Sequence, residues 1–153
     1  MDDTKTARHP DPGHPAYTLA CKAVPEAAAA VRLLIREALA EWHMAELVDG
    51  AGLVATELVS NAIRSGDDIA VEIRPVTAGA ARHLRIEVFD TSPQAPRRQG
   101  GDLLDEHGKG LQLVAAFAAD WGHRPVDGGK VVWALLGPAA GQRRATKVFP
   151  PRT

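Results

Sequence analysis

The chain has 153 residues, a formal net charge of -1, 45% hydrophobic and 24% charged residues, the profile of one ordinary globular domain able to bury a core. That charge excludes the basic excess of a phosphate-backbone binder, so nucleic acid is not the expected direct partner. Cys21 is the only cysteine, which excludes an intramolecular disulfide and a thiolate metal cluster. With no basic-then-apolar start and no run approaching about 18 apolar residues, a cytoplasmic protein without a membrane partner is expected.

Residues 1–15 are polar, carry three prolines and lack periodicity, which predicts a flexible tail ahead of one domain over 16–137. Tyr17 to Ala23 alternates as a short edge strand. Val24-Pro25-Glu26 then opens a helix running to about Trp42, with proline in its first turn and an acid near its positive end. Ala28, Val31, Leu34 or Ile35, and Leu39 face inward, while Arg32, Arg36 and Glu37 face water. His43 to Asp49 reads as a bend or short helical start, and Gly50 and Gly52 precede a helix from Leu53 to Arg64. Ser65-Gly66 ends that helix, with glycine in its usual C-terminal place. Asp67 to Arg74 and Leu84 to Phe89 alternate as two strands joined by a Pro/Gly/Ala turn region. From Asp90 to His107 the pattern fails. This segment holds Pro93, Pro96, Arg97, Arg98 and Gly100-Gly101, and a structureless stretch of such length reads as a lid over a site. Gly108-Lys109-Gly110 starts a helix over Leu111 to Ala119, with Leu111, Val114 and Phe117 or Ala118 inward. Trp121 to Pro125 and Lys130 to Leu136 form two strands around Asp127-Gly128-Gly129. A tail rich in proline, arginine and glycine occupies 138–153.

The polar groups worth weighing begin on the second helix. Val54, Leu58 and Ala62 make its apolar stripe, and Glu57 and Asn61, four apart, project side by side along the edge of that stripe. They are either a solvated helix edge or a base beside a neutral oxygen ligand, a pair that suits a magnesium ion which keeps waters and also holds phosphate oxygens. Three junctions follow: Asp90-Thr91-Ser92-Pro93 at a strand end, His107-Gly108-Lys109-Gly110-Leu111 at a helix start, and Gly128-Gly129-Lys130 before the last strand. Taken singly, each is an ordinary turn or packing device. Together they offer amides and a cation for phosphate and a carboxylate acceptor for an adenine amino group. Gly108-Lys109-Gly110 lacks the third glycine of a dinucleotide fingerprint. There is no Walker A loop and no Gly-x-Ser-x-Gly elbow, and the histidines lack zinc-type pairing.

In this order, Glu-Leu-Val-Ser-Asn-Ala (57–62), Asp-Thr-Ser-Pro (90–93), His-Gly-Lys-Gly-Leu-Gln-Leu-Val (107–114) and Gly-Gly-Lys-Val-Val-Trp (128–133) resemble the GHKL ATPase superfamily, and within it the anti-sigma-factor serine kinases. The resemblance spans about Tyr17 to Leu136. It implies an α/β two-layer sandwich, with a mixed, mostly antiparallel sheet and helices on one face, binding ATP and Mg2+ under a mobile lid. Asn61 would then ligate the metal and Asp90 would read the adenine amino group. Ser92, Gly108, Lys109, Gly110 and Leu111 would complete the nucleotide site, the last four around the phosphates, and Glu57 would activate the attacking hydroxyl. The implied partners are a sigma factor, an anti-sigma-factor antagonist and a second copy of the chain as a homodimer. Two positions depart from the group: Val131 takes the place of a threonine near the adenine, and Ser65 stands where histidine is frequent. The resemblance therefore carries two functions, a protein-serine kinase and a module that binds ATP as a structural or sensing ligand.

Overall fold

The computed structural model describes residues 9–10, 15–92 and 106–138. Strand β1 is His9–Pro10, β2 is Tyr17–Lys22, β3 is Asp68–Ala78, β4 is Ala81–Asp90, β5 is Asp120–Val126 and β6 is Gly129–Leu136. Helix α1 is Glu26–Glu41, α2 is Val48–Ser65 and α3 is Glu106–Phe117, with a 3-10 turn at Ala45–Leu47. The strands form one sheet in the order β1-β3-β4-β6-β5, with β2 also pairing β3. The expected mostly antiparallel sheet is antiparallel in every pairing among the described residues.

Alternation along β3, β4 and β6 sorts the sheet into two faces. Ile69, Val71, Ile73, Leu84, Ile86, Val88, Val132, Ala134 and Leu136 all lie in the core. Val31, Ile35 and Leu39 of α1, Val54, Leu58 and Ala62 of α2, Val114 of α3 and Ala118 just after it share that core. The stripe read from the second helix is thus buried, and in the first helix Val31, Ile35 and Leu39 are buried while Ala28 is only partly so, with Ala27 buried in its place. Burying such side chains stabilises by about 1.5–3 kcal/mol each, before the entropy of ordering them is subtracted. On the other face Arg85 lies 4.5 Å from the Trp133 ring centroid and donates from Nε to Glu87 Oε2 at 2.6 Å.

Several boundaries differ from the sequence-based reading. Helix α2 begins at Val48, so Gly50 and Gly52 lie inside it; a glycine there costs about 1 kcal/mol relative to alanine, and packing of α2 on the sheet outweighs the local signal. Strand β3 runs on through Pro75 to Ala78, and the turn shrinks to Gly79-Ala80, with Gly79 at φ 69°. On its outer side β3 pairs with β2 up to Ile73 and with β1 from Val76. Pro75 falls in the gap, an edge position where a missing N–H costs no ladder bond. Inside the segment expected to be a tail, His9 and Pro10 pair with Thr77 and Val76.

Candidate functional site at the Asp90 end of the sheet

At one end of the sheet three connections converge: α2 leaves through Gly66 into β3, β4 ends at Asp90, and β6 begins at Gly129. The register sets Ile69 against Asp90 and Asp90 against Lys130. Two glycines make this convergence possible. A Cβ at Gly66 would stand 2.9 Å from the Thr91 nitrogen and 3.0 Å from Asp90 Cβ, and one at Gly129 would overlap the Asp90 carbonyl oxygen. Gly66 therefore has a different reason from the helix-ending one: its φ of -131° is extended, open to any residue, and close approach to β4 is what requires glycine. The Asp67 N–H donates to Thr91 Oγ1 at 2.9 Å and ties the start of β3 to the end of β4.

Asp90 is fully buried, at 0% exposure. Its Oδ1 accepts the Ser92 N–H at 2.8 Å, an Asx-type turn that holds the carboxylate in place. Lys130 Nζ donates to both oxygens, at 3.0 Å to Oδ1 and 2.8 Å to Oδ2. Lys130 is itself only 2% exposed, so the pair is an ion pair inside the protein. Directly opposed residues of an antiparallel pair put their side chains on the same face, so Lys130 is the β6 residue that accompanies Asp90. The resemblance implied a place near the adenine for Val131. Val131 opposes Phe89 and helps line a depression of about 300 Å³ on the opposite face, together with Thr18, Ala70, Glu72, Glu87 and Phe89.

Asn61 and Glu57 lie on α2 behind this end. Asn61 is 3% exposed and Glu57 is half-buried. Since α2 ends at Ser65 against Gly66, Asn61 stands about 7.5 Å and Glu57 about 13.5 Å back along the axis from the glycine that touches Asp90, at 1.5 Å per residue. A buried acceptor, a buried amide and a half-buried carboxylate thus stand at successive distances back from the sheet end along α2. Gly108, Lys109, Gly110 and Leu111 lie within α3, which starts at Glu106, so the glycines do not precede the helix as the sequence reading had it. The lid segment with Arg97 and Arg98 lies outside the described residues.

These residues suit an adenine nucleotide with magnesium. Asp90 is a buried acceptor fixed by Ser92 and Lys130, and Asn61 is a buried polar group that an apolar core alone would not select. Among the described residues no three His, Cys, Asp or Glu side chains gather as a metal cluster. An ion here would take one protein oxygen from Asn61 and the rest from phosphate and water, the habit of magnesium. The residue missed in the sequence is Lys130. Its signal was present: a lysine in phase with Val132, Ala134 and Leu136 on an otherwise apolar face.

The family model described as histidine kinase-like ATPase domain matches residues 21–136, which include Glu57, Asn61, Asp90 and Lys130. Among solved structures, the histidine kinase domain from Erythrobacter litoralis EL346 blue-light activated histidine kinase is similar at 14% identity with a TM-score of 0.46. That likeness covers 84% of this chain and 65% of the other, so the chain spans less than two thirds of that relative's length. No curated protein matches it. No helix among the described residues is long and apolar enough to cross a membrane.

Proposed function

The chain belongs to the histidine kinase-like ATPase domain family, an ATP-binding domain of the GHKL type, and from that membership we propose an anti-sigma factor with protein-serine kinase activity toward an anti-sigma-factor antagonist. The observation that carries the reading is the succession of Asp90, Asn61 and Glu57 from the sheet end back along α2, which matches the order of base, phosphates and transferred group. In this reading Asp90 accepts from the adenine amino group, and Gly108, Lys109, Gly110 and Leu111 of α3 hold phosphate oxygens. Asn61 holds a magnesium ion, which when bound neutralises phosphate charge. Glu57 takes the proton of a serine hydroxyl as its oxygen bonds to the γ-phosphorus. The bond from that phosphorus to the bridging oxygen breaks, and ADP leaves with the electron pair. Sigma factor, antagonist and a second copy of the chain are the proposed partners, in the cytoplasm.

A second reading, a partner-switching module that senses ATP without efficient transfer, is favoured by one departure: Val131 stands where the resembled group has threonine. A pull-down from the native host with and without ATP, followed by phosphosite mapping on the recovered antagonist, separates the two. Serine phosphate on the antagonist supports the kinase. ATP-dependent capture without phosphate moves the conclusion to the sensor, and calorimetry showing no ATP binding removes both.

A further inference from the structure

The Asp90–Lys130 pair is more than an anchor for two strands. An ion pair with partners 0% and 3% exposed is seldom worth its desolvation as a fold stabiliser, because well-packed apolar residues do as well or better. Its placement is also specific. Gly66 and Gly129 draw two main-chain segments against Asp90, and Ser92 fixes Oδ1, so the carboxylate is held rigidly while the ammonium sits at the end of a flexible stem. The ammonium stands 2.8 Å from Asp90 Oδ2.

We propose that Lys130 is a specificity-determining residue of the base site, reading the N1 acceptor of adenine while Asp90 reads the neighbouring amino group; this rests on the adenine-nucleotide reading above. The hydrogen-bond balance favours it. A carboxylate has about four acceptor positions and an ammonium three donors. On entry of the base, Lys130 keeps Oδ1 and releases Oδ2, Oδ2 accepts the amino N–H, and the released Lys130 donor turns to the ring nitrogen. Among these named bonds, Asp90 and Lys130 both stay paired and one bond is gained. A threonine or valine at position 130 can do neither part of this exchange with a charged donor.

The test compares ATP with 1-deaza-ATP, which keeps the amino group and lacks the N1 acceptor, by calorimetry on the parent chain and on Lys130→Met. The parent is expected to bind ATP roughly tenfold or more tightly than 1-deaza-ATP, the scale of a hydrogen bond to a charged group, and Lys130→Met is expected to bring the two within about twofold. Equal affinity of the parent for both nucleotides overturns the proposal, and this arm holds even if Lys130→Met does not fold. A preference that survives in full in a folded Lys130→Met also overturns it. A parent that binds neither nucleotide overturns the adenine reading itself, an outcome distinct from the other two.

Discussion

Gly129 and Asp90 approach each other so closely that a single methyl on the glycine would overlap the aspartate's carbonyl oxygen. The neighbouring Gly128 has the opposite situation: φ is 85° and nothing lies within 4 Å of a Cβ built there. Gly129→Ala is therefore expected to force the end of β4 away from β6, at about 1–3 kcal/mol for overpacking. Gly128→Asn should change stability by only a few tenths of a kcal/mol, because asparagine tolerates the left-handed region. Urea unfolding of both variants checks the contrast, and equal losses would refute the close approach.

The Asp90–Lys130 pair makes a second prediction that needs no ligand. Lys130→Met leaves a buried carboxylate without its cation and should cost about 3–5 kcal/mol. Asp90→Asn together with Lys130→Met removes both charges and should be more stable than the sum of the single changes implies, by roughly 1–3 kcal/mol. A double-mutant cycle in urea measures this coupling. Additive losses would mean that the two groups do not interact.

Tyr17 is the only tyrosine in the chain, so its ionisation can be followed by ultraviolet absorbance alone. Its phenol donates to Glu41, and this bond, then burial, then the nearby carboxylate charge raise its pKa above the ordinary value of about 10. Because the folded value is the higher one, the associated stability is fully present below about pH 10 and is lost as pH rises through the folded pKa. Glu41→Gln should bring the midpoint down. An unchanged midpoint would place the cause elsewhere.

Much of this architecture is legible in the sequence because it is local. The stripe Val54, Leu58, Ala62 and the alternation Ile69, Val71, Ile73 need only helical and strand periods, and all six are buried. The same locality explains the errors. Gly50 and Gly52 read as a helix start because nothing nearby reveals the core that α2 packs on. Pro75 read as a turn because the gap between β1 and β2 depends on distant pairing. At the site, Asp90 and Asn61 were visible as residue types, whereas the Asp90–Lys130 contact joins positions 40 apart and rests on strand register. A one-residue slip in register exchanges the two faces of a strand, so which of Lys130 and Val131 shares a face with Asp90 is decided only by the pairing of β4 with β6.

The central claim, that the succession from Asp90 to Glu57 is a phosphotransfer site, is tested most directly by phosphate transfer from ATP to the serine of the recovered antagonist, with the parent chain and Glu57→Ala in parallel. The variant is expected to keep nucleotide and partner binding, since a general base acts on the attacking hydroxyl in the transition state and adds little to the ground-state complex. Its transfer rate should fall by roughly 10²–10⁴. Serine phosphorylation at the parental rate by a folded Glu57→Ala protein would contradict the account.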